Sequence, residues 1–306
     1  MANFNERRLF LKAILTTPAF ISLPVLSSGQ VAYSQKRLIK TGGHRLKISL
    51  NAYSFNEPLT TGAMTLDDLL DFCALHNFDA VDLTGYYFPN YPSVPPDDYV
   101  YHIKRKAFGL GLAISGTGVR NDFTDPDENK RKKDVLLVKS WIECASKMGA
   151  PVIRIFSGKQ VPEGYSWEEV FAWMIKDINE CVQYGKRHGV VVAIQNHDDF
   201  IKTADQVKKI MDGVHSEWFG LVLDIGSYRT NNPYAEIERT LPYAVNWQIK
   251  EKIFLNGSEQ KPDLARIMKM IQQSGYRGYL PIETLGAEDP TVTVPLFLAQ
   301  VRKALG

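Results

Sequence analysis

Residues 190–197 read VVVAIQNH, residues 219–227 FGLVLDIGS, residues 244–252 AVNWQIKEK and residues 278–284 GYLPIET. Each is a short apolar run that ends in a polar side chain, namely Gln195, Asp224, Gln248 and Glu283. A helical pattern comes after each run. Stretches such as VVVAI and LVL are apolar on both faces, as in strands of an all-parallel sheet covered on both sides. If the runs are strands of a parallel barrel, all four polar ends converge on the C-terminal mouth, where barrel enzymes keep their chemistry. A cluster of oxygen donors there suits a divalent metal.

The same strand-then-helix rhythm extends back to Lys47 and repeats eight times. LKISLNAYSF (46–55), FDAVDLTG (78–85), LAISGTGV (112–119) and PVIRIFSG (151–158) are the first four expected strands. Helices are expected over 65–77, 98–110, 129–148, 166–189, 203–213, 234–240, 262–274 and 290–304. Thr65 is the expected N-cap of the first, and Ser166 with Glu169 forms a capping-box pattern. Gly149 and Gly189 are natural C-caps. The expected fold is therefore α/β, a (β/α)8 TIM barrel. The rival open doubly wound sheet lacks support, because no G-x-G-x-x-G follows the first strand and no P-loop is present.

The leader is different. Asn5 to Lys12, NERRLFLK, resembles the twin-arginine export motif, and the apolar stretch after it is too short for a membrane span. Residues 1–33 are read as a twin-arginine-type signal segment and 34–306 as one barrel domain, exported to the periplasm with no stable membrane anchor. Three of the 36 basic and one of the 34 acidic residues lie in positions 1–30, leaving 33 of each for the remainder. A neutral domain argues against a nucleic-acid partner, which needs clustered positive charge. Cys73, Cys144 and Cys181 fall within helical patterns and read as buried structural thiols. The sequence leaves oligomeric assembly open.

The last four strands resemble the xylose isomerase-like barrels, also called the sugar phosphate isomerase/epimerase superfamily. In the sugar branch, Glu ends strand five within Glu-Asn-His. Asp follows in Leu-Asp-x-Gly on strand six, His in His-x-Lys-Asp on strand seven, and Glu ends strand eight. This chain reads Gln195-Asn196-His197, Leu223-Asp224-Ile225-Gly226, Gln248-Ile249-Lys250-Glu251 and Ile282-Glu283-Thr284. The resemblance implies a metal held by Gln195, Asp224, Gln248 and Glu283. It departs from the pattern at Gln195 and Gln248, where Glu and His are expected. Two carboxylates and two amides form an all-oxygen set, which suits Mn²⁺ or Mg²⁺ better than Zn²⁺.

The departure alters the implied chemistry. In the epimerases the strand-five and strand-eight carboxylates act as paired acid and base. Gln195 cannot accept a proton near neutral pH, so Glu283 is left as the single base, with His197 and Lys250 as polar assistants. The expected function is a metal-assisted isomerase or epimerase acting on a free, keto- or glycosidic sugar. The alternatives are a keto-sugar lyase or hydratase, and a non-catalytic sugar-binding barrel. Asp82, Tyr86, Tyr87, Gln195 and Lys250 are candidate sugar-binding residues; the tyrosines follow strand two and can stack on a sugar face. Lys250, two residues beyond Gln248, shares its orientation; it can hold a sugar oxygen, or pair with Asp224 or Glu283 in the place of a metal. Trp247 points the other way, into barrel-to-helix packing. An endonuclease IV-type reading needs several strand-end histidines for zinc, and these are largely absent.

Overall fold

The computed structural model describes residues 46–306. The signal segment read over 1–33 and the domain start at 34 lie outside the described residues. Eight parallel strands close a barrel: β1 (Lys47–Asn51), β2 (Ala80–Thr84), β3 (Ala113–Gly118), β4 (Val152–Ile155), β5 (Val191–Gln195), β6 (Phe219–Asp224) and β7 (Ala244–Lys250). A small hairpin, β8 (Ile253–Leu255) and β9 (Ser258–Gln260), follows before β10 (Tyr279–Glu283) completes the ring. The order around the barrel is β1-β10-β7-β6-β5-β4-β3-β2, so the strands follow one another in chain order until β10 meets β1.

The expected helices form with small shifts at their ends. Helices over Asp97–Gly109, Glu128–Met148, Trp167–His188, Leu264–Ser274 and Pro290–Leu305 cover the outside of the barrel. Thr65 with Asp68, Ser166 with Glu169, and Thr203 with Gln206 make reciprocal caps that satisfy otherwise orphaned N–H groups. Gly149 and Gly189 close their helices at φ 85° and 68°, where a side chain would be strained.

Two stretches differ from the sequence expectation. Strand one stops at Asn51, because the Asn51 side chain accepts from the Tyr53 N–H at 2.8 Å and starts a 3-10 turn over Ala52–Phe55. A short helix, Asn56–Thr61, continues from it. The β8–β9 hairpin was not anticipated. Its turn residues Asn256 and Gly257 have φ 51° and 81°, and Asn-Gly is the favoured pair for a two-residue hairpin turn with positive φ at both positions.

The core divides by strand alternation. Leu50, Ile153, Ile194, Leu223, Trp247 and Ile282 point outward and pack beneath the helices. Trp247 is buried there with its ring edge-on to Tyr276, as its strand position requires. Inside the barrel a separate small cluster of Val152, Ala193 and Val222 forms an apolar plug. Those residues lie early in their strands, and the polar ends lie beyond them. The plug thus closes the barrel below while leaving the C-terminal mouth polar. No described helix is long and apolar enough to cross a membrane.

Candidate active site

Strand register brings the four polar ends together. Gln195, Asp224, Gln248 and Glu283 terminate or nearly terminate β5, β6, β7 and β10, which are adjacent in the barrel, and Asp224 is aligned with Gln248. All four are buried. Their head groups join in one chain of hydrogen bonds. Gln195 Nε2 donates to Asp224 Oδ2 at 2.7 Å and also to Gln248 Oε1. Gln248 Nε2 donates to Glu283 Oε2 at 2.9 Å.

Lys250 closes the chain into a ring. Its Nζ lies 2.7 Å from Asp224 Oδ2 and 3.4 Å from Glu283 Oε1. Gly226 makes this possible: a Cβ there would come within 2.9 Å of both Lys250 Cδ and the Lys252 carbonyl oxygen. The charges hold each other in place. Burial alone would discharge Lys250, but Asp224 and Glu283 more than offset it and raise the ammonium pKa. Burial alone would raise Asp224, and the Lys250 charge reverses this to a net lowering. Burial, together with the charge of Asp224, keeps Glu283 raised despite Lys250.

Asn196 anchors the ring from behind. Its side chain donates to the Asp224 carbonyl and accepts from the Asp224 N–H, each at 2.8 Å. His197, just past β5, stands edge-on to Phe156 with Nδ1 2.9 Å from Asp199 Oδ2. His197, Asp198 and Asp199 offer ligand atoms within 4.8 Å of one another. Asp198, however, also pairs with Arg229 at 2.8 Å.

Above the ring opens a cavity of about 600 Å³, walled by Gln195, Gln248, Lys250 and Glu283 on one side. Tyr86, Arg154 and Phe156 face them, and His197 stands at the edge. The volume matches a small-molecule site. A smaller cavity of about 210 Å³ shares His197, Lys250 and Leu285 with it.

Other predicted residues are placed differently. Tyr87 does not line the cavity; its hydroxyl donates to Asn56 Oδ1 at 2.9 Å. Asp82 is buried below the cavity, with Asn246 Nδ2 3.4 Å away. A Cβ on Gly116 would sit 2.6 Å from Asp82 Oδ2, so the carboxyl occupies space that only glycine leaves. Burial pushes Asp82 up to about 6, partly countered by Arg154 and reinforced by Glu283. A carboxyl raised on folding binds protons more tightly in the native state, so it erodes stability as pH rises from its unfolded value to about 6. Asp82→Asn is expected to flatten the stability curve between about pH 4 and pH 6 and to raise the melting temperature at pH 7. Thermal melts across that range check this; an unchanged slope would show that Asp82 is not the group responsible.

Sequence reasoning missed Arg154. The signal was present: a single charged residue inside the apolar run VIRI, at an inward position two residues after the plug residue Val152.

The donor chemistry of the ring suits a hard divalent cation, with two carboxylates and two amides around one point. As the groups stand, amide nitrogens face the carboxylates and the Lys250 ammonium supplies the positive charge. An ion would therefore compete with Lys250 for Asp224 and Glu283.

A closed parallel barrel with a polar, cavity-topped C-terminal mouth is the architecture of the (β/α)8 enzyme class. More narrowly, the chain belongs to the xylose isomerase-like TIM barrel family, whose sequence profile matches residues 70–300. No curated protein matches the chain. Among solved structures, D-psicose 3-epimerase from Clostridium cellulolyticum H10 superposes with a TM-score of 0.71 at 15% identity, over 85% of this chain and 99% of that one. The 3-keto-D-glucoside 4-epimerase of E. coli gives 0.69 at 14% identity, over 85% and 100%. A sugar phosphate isomerase/epimerase from Parabacteroides distasonis ATCC 8503 gives 0.64 at 16% identity, over 88% and 97%. At these identities the likeness is one of fold.

Proposed function

We propose that the protein is a sugar isomerase or epimerase-like enzyme in which Glu283 is the single base. The observation that carries this reading is the ring itself. A buried carboxylate with raised pKa faces a 600 Å³ cavity, and the ammonium of Lys250 lies 3.4 Å away. A carboxylate tuned upward is a better base for the carbon next to a carbonyl. Lys250 donates to the sugar oxygen that gains negative charge as the proton leaves. Gln195 and Gln248 hydrogen-bond sugar hydroxyls, and Tyr86 packs against the sugar face. His197, at the cavity edge, carries the proton exchanged with solvent. The epimerases of similar fold act on keto-sugars by name, which supports a carbohydrate carrying a ketone.

Asp224 and Glu283, with the amide oxygens of Gln195 and Gln248 turned inward, would hold Mn²⁺ or Mg²⁺ in place of the Lys250 ammonium. Such an ion would polarise the substrate carbonyl when bound. Gln195→Glu adds one negative charge to the set and is expected to tighten Mn²⁺ binding at least ~10-fold by calorimetric titration, since ligand charge sets affinity in oxygen sites. Equal affinity in both proteins would remove Gln195 from the ligand set.

The functional test is incubation of a panel of keto-sugars in D₂O with proton NMR. Exchange at the carbon beside the carbonyl supports the proposal. Binding without exchange would instead identify a sugar-binding barrel.

A further inference from the structure

Arg154 has a buried positive charge that the reaction above does not use. It sits on β4 between Gly118 of β3 and Ala193 of β5, its partners in register. Both neighbours are small. A Cβ on Gly118 would lie 2.8–2.9 Å from the guanidinium atoms, so the barrel interior is cleared for this side chain. Arg154 is only 8% exposed, yet it lines the large cavity. Nη1 donates to the Val119 carbonyl at 2.6 Å and Nη2 to the Tyr86 hydroxyl at 2.8 Å, while the plane stacks on Phe156 with 4.0 Å to the ring centroid. Those contacts fix the fork and leave donors over. No carboxylate among the described residues lies within 4 Å of it.

A second guanidinium, that of the exposed Arg120, covers the Tyr86 ring at 4.7 Å and likewise lacks an acidic partner among the described residues. The carboxylates that line the cavity on this side are committed elsewhere, and Asp82, which Arg154 influences, lies below the cavity. Asp122 accepts from Thr124, Asp134 accepts from the Asp122 N–H, and Asp199 faces His197. Arg154 feels the buried carboxyls of Asp82 and Glu283, which it pulls down, but it makes no direct ion pair with either, so its spare donors are open to an anion entering the cavity. Its planar fork matches a carboxylate or a phosphate.

We infer that the substrate carries an anionic group, carboxylate or phosphate, seated on Arg154 and covered by Arg120, at the far side of the cavity from Glu283. This rests on the proposed sugar site and narrows its substrate to an acidic sugar.

The test is calorimetric titration of the full chain with D-glucuronate, D-glucose 6-phosphate and D-glucose. Wild type is expected to bind one of the two anions at least ~10-fold tighter than the neutral sugar, as for a charge-assisted pair. Which anion wins identifies the group. In Arg154→Gln the anion's advantage over D-glucose is lost. In Arg120→Gln, a change on the exposed rim that spares the fold, the preference falls several-fold. Equal affinity of wild type for all three sugars, or no binding of either anion, overturns the inference. Neutral-sugar binding with keto-sugar exchange would then leave the proposed enzyme standing, whereas loss of all sugar binding would remove both.

Discussion

Glu283→Gln is expected to slow solvent-deuterium exchange of a keto-sugar substrate by about 10²–10⁴-fold, the range for removal of a positioned base. The substitution preserves shape, and its amide oxygen still accepts from Gln248 Nε2, which now contacts Glu283 Oε2 at 2.9 Å. The fold and the sugar affinity should therefore survive. Wild-type exchange should also fall on the acid side, with a midpoint above the ordinary glutamate range. Burial and the charge of Asp224 raise Glu283, and only the ionised form accepts a proton. A variant that exchanges at the parental rate would assign the base to another group and remove Glu283 from that role.

The second large effect is on stability. Lys250→Met removes the only positive charge among the described residues within 4 Å of both Asp224 and Glu283, which are buried on adjacent sides of it. Breaking a buried ion pair from one side costs about 3–5 kcal/mol, because the remaining charge is left uncompensated. Denaturant unfolding at pH 7 should show a loss of that order. The sign with pH is set by the carboxylates. Without Lys250, their folded pKa values rise, so the native state gains protons relative to the unfolded chain, and the deficit shrinks as pH falls through those raised values. Added Mn²⁺ is expected to restore part of the loss, since binding only to the folded state stabilises it. A variant as stable as the parent at pH 7 would mean that the ammonium does not compensate these carboxylates. A loss that Mn²⁺ leaves untouched would mean that no ion uses them.

The barrel was legible because its parallel strands are buried on both faces and therefore stand out as continuous apolar runs. Convergence of Gln195, Asp224, Gln248 and Glu283 followed from that, since strand ends in a closed barrel share one mouth. The turn at Asn51–Tyr53 was hidden because it depends on a side chain replacing a ladder bond, and Ala52-Tyr53-Ser54-Phe55 is otherwise strand-like. The hairpin after β7 had a readable Asn256-Gly257 signal that the short runs on either side obscured. Lys250 could be given a direction and two alternative partners, Asp224 or Glu283, and the structure pairs it with both. Its reach to both carboxylates depends on the space at Gly226, which no local pattern announces. Tyr87 was misdirected for a similar reason. Its hydroxyl is taken by Asn56, on a helix the sequence did not suggest.

The double hydrogen bond between Asn196 and the Asp224 backbone continues the sheet one step past its last regular rung. Strands five and six are thereby stapled at their tips, and Gln195 and Asp224 behave as a single stiff block. Guests of different girth must be accommodated by the opposite rim, where the exposed Arg120 side chain rests on the Tyr86 ring. Selection for a broader diet would therefore rewrite that tyrosine-bearing edge and spare the stapled pair.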